Sequence, residues 1–255
     1  MFDNTKYPEA FGDSKEASEG FAHSEDLAGQ VIAITQAETG YGRSIALALS
    51  RRSATVALFG NNSEMTAQLA SFIESTGGNA IPIRVDAASS SDHAMAQEKV
   101  LELYGHLDGV VHLANQESAA SFGFLTMSEW VDLLNINVRS TLAILHAIHR
   151  QTPQTWLTVI GTSDAEKLHL QAIRGALEGL TRSARLEDVR CNLLLPNRIS
   201  GGEMYDQELC EMVALLANPK LSHIGGNVIE VPLPHLPGPH GEGLAIDPLP
   251  EEDCE

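Results

Sequence analysis

Between residues 31 and 231 short apolar, β-rich runs alternate with stretches of helical period, and this alternation constrains the fold more than any other feature. Val31–Thr35 (VIAIT), Thr55–Phe59 (TVALF), Ala80–Val85, Gly109–Ala114 (GVVHLA), Trp156–Gly161 (WLTVIG), Val189–Leu195 (VRCNLLL) and Asn227–Val231 are the strand candidates. Helical stretches stand between or after them at Arg43–Arg52, Glu64–Ser75, 92–104, 127–150, 168–187 and 206–217. Asn61 with Glu64, and Thr126 with Glu129, have the spacing of a capping box, whose two side chains satisfy free amides at a helix start. Runs that are apolar throughout belong to strands covered on both faces, and a helix after each strand returns the chain for parallel pairing. The predicted fold is α/β, a Rossmann-like doubly wound parallel sheet of about seven strands with helices on both faces.

The two ends differ from this body. Residues 1–29 are polar and acidic without sustained hydrophobic period and are read as a mobile arm; residues 30–231 hold the domain. Residues 232–255 form a tail that contains six of the eleven prolines and six acids with no Lys or Arg. The net charge of −18 repels nucleic acid and anionic membranes, so neither is an expected partner. No apolar run is long enough to span a bilayer. The N-terminus has neither a basic start nor an apolar stretch, and the three cysteines have no CxxC or metal-ligand spacing. Both features point to a cytoplasmic protein with reduced thiols and no metal. His146 and His149, three apart on one helix, have no ligand partner in the nearby sequence and are read as packing residues, as are Trp130 and Trp156.

The turn after the first strand reads Thr35-Gln36-Ala37-Glu38-Thr39-Gly40-Tyr41-Gly42 and resembles the TGxxxGxG turn of short-chain dehydrogenases/reductases. Further landmarks of that family follow in order: Asp86 after the third strand, Trp130-x6-Asn137-Val138, and Ser163 after the fifth strand. RGALEGLTRSA (174–184), Val189–Pro196 and HIGGNVIEV (223–231) complete the set, so the resemblance covers about residues 28–231. It implies a nicotinamide dinucleotide site built on Thr35, Gly40, Tyr41, Gly42 and Asp86. It also implies a catalytic group of Asn137, Ser163, a tyrosine and a lysine. In such enzymes the tyrosine donates a proton as hydride reaches the carbonyl carbon, and the lysine lowers its pKa and holds the nicotinamide ribose.

The register of RGALEGLTRSA puts Leu170 at the tyrosine position and Arg174 at the lysine position. Leucine has no proton to give. Tyr7, Tyr41, Tyr104 and Tyr205 are followed four places on by Phe11, Ile45, Asp108 and Leu209, so none restores the motif. His169 lies about 100° round the helix from Leu170 and is read as a surface residue. The turn has Gln36 in place of its first glycine, Gly60 in place of the acid that reads the adenosine ribose, and Asn115 and Asn197 in place of later glycines. Asn197–Tyr205 is brief where the family carries a substrate lid, and only six residues lie between Ser163 and Leu170.

These losses predict a catalytically inactive pseudoenzyme, with no cofactor expected and NAD or NADP bound weakly at most. The resemblance implies a homodimer, or a hetero-oligomer with an active relative, through the helices at 127–150 and 168–187. Leu134, Val138, Leu142 and Leu145 recur there at helical spacing, as do Leu170, Ile173, Leu177 and Leu180. Leu170 is expected to leave an apolar surface where a catalytic pocket would open. Two other readings stand beside this one. One is a sensor of a nucleotide or metabolite. The other is an NAD(P)-dependent oxidoreductase acting on an alcohol/ketone pair with an unorthodox acid such as His169.

Overall fold

The computed structural model describes residues 24–151, 154–162, 167–196 and 206–231. Seven strands, β1 (Val31–Ile34), β2 (Thr55–Gly60), β3 (Asn79–Arg84), β4 (Gly109–Leu113), β5 (Trp156–Ile160), β6 (Cys191–Pro196) and β7 (Val228–Val231), form one sheet. Its order is β3-β2-β1-β4-β5-β6-β7, and every pairing is parallel. The helices are α1 (Gly40–Ser50), α2 (Ser63–Ser75), α3 (Ser90–Tyr104), α4 (Met127–Leu134), α5 (Ser140–Gln151), α6 (Leu168–Ser183) and α7 (Asp206–Ala217).

Strand alternation divides the core into two layers. Ile32, Ile34, Val56 and Leu58 face one side with Ile45, Leu49, Leu69, Ile73, Leu209 and Val213 from α1, α2 and α7. Val31, Ala33, Ala57 and Phe59 face the other with Val100, Leu133, Ile144, Ile148, Ile173 and Leu177 from α3, α4, α5 and α6. Each such fully buried aliphatic or aromatic side chain contributes about 1.5–3 kcal/mol relative to exposure. The doubly wound sheet predicted from the alternation is therefore what the chain forms.

Four details differ from the sequence reading. Residues 24–29, assigned to the arm, pack on the domain: Leu27 is buried, its amide donates to Arg52 O at 3.1 Å, and Asp26 pairs with Arg52 at 3.0 Å. The cap of α2 is Asn62, whose side chain accepts from the amides of Glu64 and Met65, so the capping box expected at Asn61 does not form. Thr126 and Glu129 do make the reciprocal box at the start of α4. The helical stretch 127–150 is interrupted by a π turn at Asn135–Arg139, and 168–187 finishes in a 3₁₀ turn at Ala184–Glu187. The readings on residues 1–23, the lid segment 197–205, Ser163 and the tail 232–255 lie outside the described residues.

Candidate functional site

In an open parallel sheet the loops at the carboxyl edge diverge where the strand order reverses, which leaves a crevice there. Here the reversal lies between β1 and β4. Thr35, Gly40, Tyr41 and Gly42 come together on the β1–α1 turn that borders this crevice. Thr35 is buried, and its hydroxyl oxygen accepts the amide of Leu113 at 3.0 Å while sitting 2.9 Å from His112 Nδ1. Gln36 adopts φ +49°, in the left-handed region that costs a non-glycine residue about 1–2 kcal/mol. Its side-chain amide donates to Leu113 O at 2.5 Å, across the switch point. A Cβ on Gly42 would lie 2.4 Å from Gln36 O, so α1 meets the turn at a distance only glycine permits. The turn is thus held by the glutamine side chain and by the close approach of Gly42 to its carbonyl.

The neighbouring carboxylates were read incompletely from sequence. Asp86, after β3, is exposed, and one of its oxygens accepts the amide of Ala88 at 3.0 Å. Glu38 is the residue the sequence reading missed. Its Oε1 accepts the amides of Asn61 at 2.8 Å and Asn62 at 3.3 Å, and Oε2 is buried without a hydrogen-bond partner among the described residues. A Cβ on Gly60 would meet that Oε2 at 2.2 Å. The end of β2 therefore does have a carboxylate beside it, delivered from the preceding turn into the space a glycine leaves. A glycine closing one strand with a glutamate in the neighbouring turn is the size exchange that signals it.

On the other side of the crevice the loop after β4 is tied down. Asn137, buried in the π turn, accepts the amide of Gln116 at 2.9 Å and donates to Gln116 O at 3.0 Å and Leu133 O at 2.9 Å. Both of its N–H groups are committed to the backbone. Thr162 donates to Glu117 Oε1 at 2.6 Å, and Lys167 Nζ donates to Ser118 O at 2.9 Å. These bonds join the loop to the end of β5 and the start of α6.

Leu170 does not form an open apolar surface. It is 0% exposed and packs in the layer with Ile173, Leu177 and Leu193. Arg174 turns to Glu178 and Glu230, with 2.9 Å contacts to each, and the bond to Glu178 is the main cause of its raised pKa. His169 is 2% exposed rather than on the surface, because helical position 169 faces the body of the domain, and neither ring nitrogen has a partner among the described residues. His146 and His149, read as packing residues, are exposed on α5. No group of three or more His, Cys, Asp or Glu able to hold a metal occurs among the described residues. Burial pushes the Cys191 thiol up to about 12, which removes it as a nucleophile at neutral pH.

The model of the short chain dehydrogenase family matches residues 30–163. This chain belongs to the short-chain dehydrogenase family. An uncharacterized oxidoreductase of Staphylococcus epidermidis is 25% identical over 190 residues, covering 71% of this chain and 80% of that protein. A hydroxynaphthalene reductase-like protein of Metarhizium anisopliae is 27% identical over 192 residues, covering 71% and 72%. A solved short-chain dehydrogenase/reductase of Serratia marcescens superposes with a TM-score of 0.72 at 22% identity, over 81% of this chain and 97% of that one. As a short-chain dehydrogenase the protein is oxidoreductase-like, and members of its family normally bind NAD or NADP. Among the described residues no helix is long and apolar enough to cross a membrane.

Proposed function

We propose that this short-chain dehydrogenase is a cytoplasmic, non-catalytic subunit that pairs through helices α4–α6 with a second copy or with an active relative. The observation that carries the reading is Leu170. Reduction of a carbonyl needs a proton donor within hydrogen-bond reach of the substrate oxygen, and the family's donor position is filled by a side chain with no proton, sealed in the core. Two further placements support it. Arg174 is held by two carboxylates instead of facing a nicotinamide ribose. Gln36 crosses the crevice to Leu113, and Glu38 lies at the end of β2, where a dinucleotide would need room. These side chains do not fit a tightly held NAD or NADP, so no step is derived through one.

The pairing surface differs from the stripe expected from sequence. Leu145, Leu170, Ile173 and Leu177 are core residues, while Val131 at 48% and Leu142 at 54% exposure face outward. A groove of about 760 Å³ runs between α5 and α6, lined by Leu142, Leu145, His146, Leu180, Ala184 and Val189. An open apolar groove on a domain of this size favours association.

The test is turnover. With NADH or NADPH and a panel of ketones and aldehydes, the purified chain should stay at background. Turnover that disappears in His169→Ala would replace this reading with that of an oxidoreductase using His169. The pairing half is checked by light scattering, where a monomer at micromolar concentration is the adverse result.

A further inference from the structure

Behind the crevice a chain of buried hydrogen bonds runs through His112, and donor counting fixes every proton in it. Ser140 has one hydroxyl hydrogen, and it goes to Ile136 O. The 2.9 Å contact between His112 Nε2 and Ser140 Oγ must therefore be donated by the ring. His112 Nδ1 is then the bare nitrogen and accepts from Thr35, whose oxygen receives the Leu113 amide. The ring is fully buried. His93, on the first turn of α3, meets it edge to face with centroids 5.8 Å apart. His93 Nε2 can only donate to the carbonyl of Ala87 at 3.1 Å, which in the neutral ring leaves Nδ1 bare, buried and without a partner among the described residues.

Neither ring has a place for a second proton. On His112 the new N–H would face Thr35 Oγ1, which already receives an amide, and the hydroxyl hydrogen would lose its acceptor. On His93 the new N–H would have no acceptor among the described residues. The charged groups that bear on the pair are Asp86 and Asp92, and both act on His93; on His112 only His93 acts. The β1 turn and α5 offer His112 only the hydroxyls of Thr35 and Ser140, and β5 places Val159 beside it in register. Burial accordingly holds both pKa values below the ordinary histidine range, that of His112 well below it.

The bond chain also reaches the crevice. Ser140 follows the π turn, Thr141 Oγ1 donates to Asn137 O at 2.5 Å, and Asn137 holds both backbone groups of Gln116. We propose that the His93–His112 pair is an acid-sensitive pin. While both rings are neutral it locks α3, β4 and the start of α5 together and keeps Asn137 on the loop after β4; acid favours a state in which that loop is free. The sign follows from linkage. A base whose folded pKa is depressed contributes fully above its unfolded pKa, and the folded form loses ground as pH falls below that value. Between pH 6.5 and 5.5 each ring should raise the open fraction by up to about fivefold.

Two measurements on the full chain test this. Imidazole ¹⁵N shifts of His112 should remain those of the neutral Nε2–H tautomer down to pH 5.5. The amide of Gln116, corrected for intrinsic exchange, should open up to about thirtyfold more often at pH 5.5 than at pH 6.5, with both rings contributing. In His112→Asn the rise should shrink to about fivefold or less, and in His93→Phe to about fivefold. The proposal is overturned by a His112 ring that titrates near 6.5 in an intact fold. A Gln116 protection that ignores pH, or an acid response in both variants as large as the parent's, overturns it as well. The tautomer measurement needs no variant, so a substitution that fails to fold leaves the proposal open to refutation.

Discussion

The β1–α1 turn and the first turns of α6 both carry side chains that the resemblance to short-chain dehydrogenases does not lead one to expect, and they hold those side chains in opposite ways. In the turn the side chains are held by polar contacts. Gln36 accepts a left-handed φ, Gly42 still packs on its carbonyl, and the added side chains find polar partners in Leu113 O and the amides of Asn61 and Asn62. In α6 the helix is regular, and Leu170 is one more apolar contact of the packed layer. A turn whose path is enforced by close packing tolerates a new side chain if that side chain can hydrogen-bond. A helix position facing the sheet tolerates one that fills volume.

Substitutions at the two places should then differ in cost. Leu170→Ala should show the largest effect, about 2–5 kcal/mol of stability, because it leaves a cavity in a packed layer; denaturant titration reads it. Leu170→Tyr should also destabilise, by about 1–3 kcal/mol through overpacking, without producing turnover. A Leu170→Tyr protein that is stable and active would break the comparison, since the position would then be a dormant site rather than core.

Asn137→Ala should cost less, about 1–3 kcal/mol, chiefly by leaving the Gln116 amide without its acceptor; hydrogen exchange should show the loss concentrated at Gln116. Gln36→Gly should change stability by no more than about 1 kcal/mol. It removes the left-handed strain while giving up one hydrogen bond and some rigidity of the unfolded chain. The same variant should bind NAD more tightly than the parent by calorimetry. Equal affinity would mean that Gln36 is not what occupies the crevice. Smallest of all, Arg52→Ala should cost about 1 kcal/mol or less. Its pairs with Asp26 and Glu211 lie at the surface, and thermal melting at two salt concentrations should show the parent's advantage shrink.

The sheet and its helices were legible because strand and helix periods are local properties of the chain. The same holds for the cap at Thr126, which is a three-residue pattern. The cap of α2 was misplaced by one residue because Asn61 and Asn62 are equally good caps, and only the path leaving β2 selects between them. The π turn left no trace in the hydrophobic period, since Leu134, Val138, Leu142 and Leu145 keep spacings of three or four residues across it. The site was legible by residue type and illegible by partner. Nothing in the sequence says that Glu38 reaches Gly60, that His169 is buried, or that His112 and His93 touch. Each of these depends on elements that meet only in the folded domain.

The bonds that join β1 to β4 have a common arithmetic. Val31 to Asp108, Thr35 to His112 and Gln36 to Leu113 each connect residues 77 positions apart. Closing a loop of that length costs entropy before any of those bonds repays it, and contacts of high sequence separation slow folding. The units β1–α1–β2 and β2–α2–β3 close much shorter loops and can organise first. The middle of the sheet is therefore expected to assemble late, once α3 has returned the chain. Until then two apolar strand edges stay open, and the time they remain so sets how readily this chain aggregates as it folds.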